Sequence, residues 1–126
     1  MTNTHTTARI FKTAWFTKAA KKARIRDEEL CAALRQVMQG QADDLGGGVF
    51  KKRLNNNRHR SIIIAKSGQY WIYTYLFAKK DRSNIDTDEL AEFKKLAALY
   101  GRQTDETINT QIKNRDLVEI CHAQET

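Results

Sequence analysis

The sequence predicts an α+β domain. An antiparallel sheet, made of an N-terminal strand plus a three-strand meander, packs against an N-terminal helical pair and is followed by one or two C-terminal helices. Three observations lead there. Apolar residues recur at helical spacing in residues 13–40 and again in 86–100. Between them lie three runs rich in β-branched and aromatic residues, separated by short turns. No proline and no Gly/Ser-rich linker interrupts the 126 residues, a length that supports one substantial core. Residues 1–7, MTNTHTT, form a polar, flexible N-terminus; residues 8–120 form the single domain; residues 121–126 are a C-terminal tail.

The elements follow in order. "ARIFK" (8–12) is a short strand. "TAWFTKAAKKARI" is a helix with Trp15, Ala19 and Ala23 near one side. "DEELCAALRQVMQG" is the second helix: Asp27 caps it, Glu28 and Glu29 suit its positive end, Leu30, Leu34, Val37 and Met38 recur at helical spacing, and Gly40 stops it. Gly46, Gly47 and Gly48 turn the chain and lack the Gly-Lys-Ser/Thr ending of a phosphate-binding loop. The meander strands are Val49 to Leu54, "RSIIIAK" and "YWIYTYLFAK", with "NNNRH" as a turn tolerant of positive φ. In the last third, Asp86 and Glu89 have capping-box spacing, and Leu90, Phe93, Ala97 and Tyr100 make one apolar face ended by Gly101. A short helix capped by Thr104 follows. "DLVEI" fits either a closing turn or an edge strand. The helices are expected to cover one face of the sheet and to leave the other, or one end, to basic residues.

Composition narrows the function. The longest apolar runs are too short to cross a bilayer, and the N-terminus lacks the basic-then-apolar pattern of a signal peptide. Cys31 and Cys121 lack metal-ligand spacing and form no disulfide framework, so they read as small apolar residues in a reducing cytoplasm. No metal or other cofactor is expected. The net charge is +7, and it is unevenly placed: residues 49–82 hold nine basic residues and one acidic, whereas 83–126 hold five basic and nine acidic. A concentrated positive field serves either solubility or the attraction of a polyanion such as RNA or DNA.

Strand alternation and meander topology sort these charges. Lys51 and Arg53 share one side of their strand, and Phe50, Lys52 and Leu54 the other. In the last strand Trp71, Tyr73, Tyr75, Phe77 and Lys79 are expected on one side. The end of the first meander strand, the start of the second and the end of the third meet at one rim. That rim gathers Lys51, Lys52 and Arg53 with Arg58 and Arg60 and with Lys79, Lys80 and Arg82. Such a cluster could bind nucleic acid, or stabilise the added negative charge when an RNA 2′-hydroxyl attacks its own phosphate. His59 is a candidate acid or base, or simply a turn residue. Tyr73 and Tyr75 are candidates for base stacking, or else core.

The combination of "DDLGGGVFKKRL" and "YLFAKKDRSNIDTDELAEFKKLAALY", opened by "RIFKTAWFTKAAKKARIRDEELCAAL", resembles the RelE/ParE toxin superfamily, within its HigB-like, phage-associated branch. The resemblance spans roughly residues 8–100. It implies a RelE-like small domain and the toxin of a type II toxin–antitoxin system: a metal-independent endoribonuclease, or mRNA interferase, that cleaves mRNA on the ribosome. It implies a cognate antitoxin whose complex with the toxin binds operator DNA. Arg53, Arg60 and Lys80 match the family's catalytic basic positions; Lys51, Lys52, Arg58, Lys79 and Arg82 would bind RNA. Two departures stand out. The branch's Gly-Tyr-Arg before the middle strand is replaced by "NNNRHRSII", and the tyrosine that classical relatives carry after the last basic cluster corresponds to Asp86, a helix cap. Because ParE-like relatives act on gyrase, the alternative is a non-enzymatic toxin or regulator that binds DNA or a protein target such as gyrase.

Overall fold

A computed structural model describes residues 8–121. The segment 1–7, residues 122–126 of the tail, and with them His5 and His122, lie outside the described residues. The chain runs β1 (Arg9–Thr13), α1 (Ala14–Lys22), α2 (Asp27–Met38), β2 (Asp43–Gly46), β3 (Val49–Leu54), β4 (His59–Lys66), β5 (Tyr70–Ala78), α3 (Thr87–Arg102), α4 (Asp105–Lys113) and β6 (Leu117–Ile120). The strands form one six-stranded sheet in the order β2-β3-β4-β5-β1-β6. Pairing is antiparallel throughout except between β1 and β5, where the chain crosses back and runs parallel. The architecture is the α+β class that the sequence predicts. Two strands are added to it: β2, a short strand that forms a hairpin with β3, and β6, which settles "DLVEI" as an edge strand.

The helices cover both faces of the sheet and not one. Phe16 and Ala20 of α1 and Leu30, Leu34 and Val37 of α2 pack on Ile10, Leu54, Ile63, Trp71, Tyr73 and Leu76. On the opposite face, Ala97 and Tyr100 of α3 and Ile108 of α4 pack on Phe11, Val49, Ile62, Ile64, Tyr70, Ile72 and Phe77. Successive side chains of a central strand alternate between two buried faces, so strands of nearly continuous apolar character need cover on both sides. "SIIIA" and "YWIYTYLF" have that character.

A β-bulge decides which residues face which helices. The register runs Ile62↔Tyr75 and then Ile63↔Tyr73, which leaves Thr74 as an extra residue in β5. Its hydroxyl donates to the Ile62 carbonyl at 2.9 Å. Trp71 and Tyr73 therefore face α1 and α2, while Tyr75 and Phe77 face α3. The strict alternation expected from the sequence fails at this one residue.

Local chemistry explains the element ends. Thr13 caps α1 by accepting from the Phe16 N–H at 3.0 Å, and Thr104 caps α4 by accepting from the Thr107 N–H at 3.1 Å. Asp86 and Glu89 form a reciprocal capping box at the start of α3. Asp27 is not a cap: Arg26 holds that position, and the Asp27 carboxylate instead accepts from Lys12 Nζ at 2.8 Å. Gly101 does not end α3, which continues to Arg102. At the β2–β3 turn Gly47 and Gly48 have φ of 62° and 82°, and a Cβ on Gly48 would meet the Ala65 carbonyl at 3.1 Å, so glycine is required there.

Cys31 and Cys121 are joined in a disulfide, which corrects their reading as separate apolar residues. They stand 90 residues apart in sequence, and no spacing rule links them. Their adjacency is tertiary: α2 packs across the sheet beside the end of β6. In the chain-entropy account, a cross-link over so long a loop stabilises the fold by roughly 4–5 kcal/mol. Reduction should therefore lower Tm by on the order of 15 °C. The Cys31→Ser/Cys121→Ser variant should melt at the reduced value with or without dithiothreitol. An unchanged Tm after reduction verified by thiol titration would show that the bridge carries no stability.

Candidate functional site

Three chain segments meet at one end of the sheet. Arg53 pairs with Arg60 across β3 and β4, and Arg60 pairs with Phe77 across β4 and β5. The Lys79 N–H donates to the Arg58 carbonyl at 2.8 Å, which fastens the turn after β5 to the turn before β4. That earlier turn is unusual. Asn55, Asn56 and Asn57 all have positive φ, of 56°, 54° and 70°, a conformation that asparagine tolerates better than most residues. The Glu29 carboxylate of α2 accepts the Asn55 N–H and holds the turn from outside.

The rim has two sides. On the α3 side lie Lys51, Arg53 and Arg60, because Lys51 pairs with Ile62 and Arg53 with Arg60 in the same phase of the pleat as the α3-facing core. Arg82 joins them. Its guanidinium lies 5.5 Å from the centre of the Phe77 ring, its Nη1 is 3.4 Å from the Tyr75 hydroxyl, and it forms a two-pronged pair with Glu89. The bond to Arg82, seconded by the Asp86 N–H, holds the Glu89 carboxyl below its ordinary value. Lys51 Nζ donates to Asn84 Oδ1 at 3.2 Å and lies 3.7 Å from an Asp43 oxygen. Arg60 is 8% exposed, and its Nη1 alone serves the Asn57 and His59 carbonyls, at 3.0 and 3.2 Å. Arg53 is exposed.

On the α2 side lie Lys52 and His59. Lys52 Nζ donates to the Gln41 carbonyl at 2.9 Å, and burial, assisted by the Arg53 charge, pulls its pKa down. His59 Nδ1 is 3.2 Å from Asn55 Nδ2; burial and then the Arg58 charge lower its pKa, which keeps the ring neutral near pH 7. A hollow of about 710 Å³ opens here between the asparagine turn and Lys79 and Lys80, with Arg58 and His59 in its wall.

The structure thus separates residues that the sequence groups together. Strand phase puts Lys51, Arg53 and Arg60 on one face, with Arg82 beside Phe77 on that face, although Arg53 also borders one hollow with Lys52 and another with α2. Lys80 borders the hollow at the asparagine turn. Tyr73 is not available for base stacking: it is fully buried, and its hydroxyl donates to the Leu30 carbonyl at 2.7 Å. Tyr75 is half-buried, with the rings of Trp15, Phe77 and Phe93 around it at 5.1, 5.9 and 5.8 Å. Trp15, near one side of α1 with Ala19 and Ala23, is 51% exposed. Its place beside Tyr75 depends on where β1 ends, which no local pattern encodes. Glu89 has a second role, as partner of Arg82, that its capping-box spacing does not reveal.

Among the described residues no group of three or more His, Cys, Asp or Glu side chains is placed to hold a metal ion, and no helix is long and apolar enough to cross a membrane. Comparison with curated proteins and with solved structures gave no significant match. A family model does match, described as the RelE toxin of the RelE/RelB toxin–antitoxin system, over residues 8–120. The match spans the whole sheet and all four helices, including the rim just described, and the chain belongs to the RelE toxin family.

Proposed function

We propose that this toxin is an endoribonuclease that cleaves mRNA on the ribosome, with the RNA 2′-hydroxyl as nucleophile and without a metal ion. The observation that carries the reading is the row Lys51–Arg53–Arg60–Arg82 on one side of the rim. The 2′-hydroxyl gives up its proton to water as its oxygen attacks phosphorus, and the 5′-oxygen takes a proton from water as its bond to phosphorus breaks. A 2′,3′-cyclic phosphate and a 5′-hydroxyl result. Negative charge grows on the non-bridging oxygens in between, and fixed cations aimed at them lower the barrier. Arg60 suits this role best. Its backbone bonds use only Nη1, so the rest of its planar fork can hold phosphate oxygens, and its burial strengthens the interaction. Arg53 lies directly across from it and can hold the same phosphate. Lys80 is the third family-matched position. It borders the hollow at the asparagine turn with Arg58 and Lys79, where it can track the RNA backbone. His59 faces the α2 side, and we assign it no proton transfer. The partners that follow are mRNA and the ribosome, and the cognate antitoxin that membership of the family implies; its complex with the toxin would bind operator DNA.

End mapping of a translated mRNA exposed to purified protein should show new 5′-hydroxyl ends confined to translated regions. Intact mRNA together with a superhelical shift of plasmid DNA in cells would turn the reading toward gyrase. Arg60→Ala should lower the single-turnover rate about 10²-fold, the cost of one lost transition-state contact. Arg60→Lys, which keeps the charge and loses the fork, should stay strongly impaired, whereas Lys113→Ala and His59→Gln should cleave almost normally. A folded Arg60→Ala protein of normal rate would remove Arg60 from the chemistry.

Metal independence is checked separately, on a fluorogenic RNA at high enzyme concentration, because chelation dismantles ribosomes. Cleavage should survive EDTA. Activity that EDTA abolishes and Mn²⁺ restores would overturn the metal-free mechanism.

A further inference from the structure

We propose that the outward face of Trp15 is a stacking platform for one nucleobase of the bound RNA, next to the cationic row. The proposal rests on the RNA-cleavage reading above and adds a subsite to it.

The position of Trp15 is built. The last pair between β1 and β5 is Lys12↔Tyr73, so β1 leaves β5 before Tyr75 and the chain turns at once into α1. The first turn of α1 is pinned from both directions: Thr13 Oγ1 accepts the Phe16 N–H at 3.0 Å, and Thr17 Oγ1 donates to the Thr13 carbonyl at 2.9 Å. The helix buries Phe16 and Ala20 against the sheet. Trp15, one residue before Phe16, is carried off that face and past the end of β1, where its ring stacks on Tyr75 at 5.1 Å and 30°.

An exposed indole alone means little, since single apolar side chains are common on protein surfaces. The surroundings of this one are what matter. Tyr75 leads from Trp15 to Phe77, whose ring lies under the Arg82 guanidinium and whose backbone partner is Arg60. The path from an open aromatic face to the buried arginine therefore crosses only two side chains. Aromatic faces set beside cations are how proteins hold single-stranded nucleic acid: the cations take the phosphates, and the ring takes a base. Tyr75 cannot present that face itself, because three rings surround it. Trp15 has one side seated on Tyr75 and half its surface open. Charge favours RNA over a protein as the occupant, since the adjoining row is cationic and an RNA strand supplies phosphates and bases together. Every base has a π-face, so the contact adds affinity with little choice of sequence.

The test uses the full chain and a short 2′-O-methyl oligonucleotide, which cannot cleave itself. Its binding is read by anisotropy of a terminal label and, unlabelled, by tryptophan fluorescence. Trp71, 9% exposed, gives the background signal. Saturable quenching is expected in the native protein and not in Trp15→Phe. Trp15→Ala should bind about tenfold more weakly, as expected for the loss of one stacked base. Trp15→Phe, which keeps a ring, should bind closer to the native protein. With an abasic oligonucleotide of equal length, the native protein and Trp15→Ala should bind alike. Native affinity in a folded Trp15→Ala protein overturns the proposal. So does a Trp15→Ala protein that keeps native RNA affinity but loses the antitoxin, a result that would make Trp15 part of a protein interface. A native protein that binds no oligonucleotide at low salt would instead strike at the RNA reading itself, and the platform would fall with it.

Discussion

The two cores and the rim share a dependence on Thr74. An extra residue in one strand of an antiparallel pair reverses which face every later side chain takes. Before the bulge, Trp71 and Tyr73 point into the core beneath α1 and α2; after it, Tyr75 and Phe77 point toward α3. With strict alternation, Tyr75 and Phe77 would face the same side as Tyr73. Arg82 would then lose the ring it rests on, and Trp15 the ring it stacks on. The Thr74 hydroxyl bonded to the Ile62 carbonyl gives the irregularity a polar anchor in the middle of the sheet.

Around that irregularity, a few polar contacts hold the rim in place. The Glu29 carboxylate reaches from α2 to the asparagine turn, and that turn sets the start of β4 and the direction of Arg60. Glu89 couples the start of α3 to the row, since the same carboxylate accepts the Asp86 N–H at 2.9 Å and binds Arg82. Asp86 accepts the Glu89 N–H at 2.8 Å, so it serves the helix and through it Arg82. Like charges are thereby brought together by neutral and acidic neighbours that fix their directions, and a phosphate-bearing partner could complete the neutralisation.

The legible parts of this protein were those written within a few residues of one another. The Asp86–Glu89 spacing announced the capping box, Thr104 its cap, the three glycines their turn, and the alternating runs the meander. Meander topology also brought residues 51–53, 58–60 and 79–82 to one end of the sheet, because neighbouring strands joined by short turns must place those positions together. The rest depended on tertiary placement. Cys31 meets Cys121 only once β6 lies beside β1. Helices on both faces were hidden because runs such as "SIIIA" show that a strand is buried, and not by what. Lys80 and Arg82 come to different parts of the rim through the turn after Ala78, and the place of Trp15 beside Tyr75 depends on β1 leaving β5 at Lys12.

The parallel crossover of β1 has a consequence for where the two ends of the described domain lie. Ile10 and Ile120 are neighbours across β1 and β6, and Arg9 is tied to Glu119 by a two-pronged ion pair. The described chain therefore begins and ends at the same corner, at the opposite end of the sheet from Arg53 and Arg60. The whole length of β5 therefore lies between Arg9 and Ile120 on one side and Arg60 on the other, so the pairing that closes the described domain and the cationic row occupy opposite ends of the same central strand.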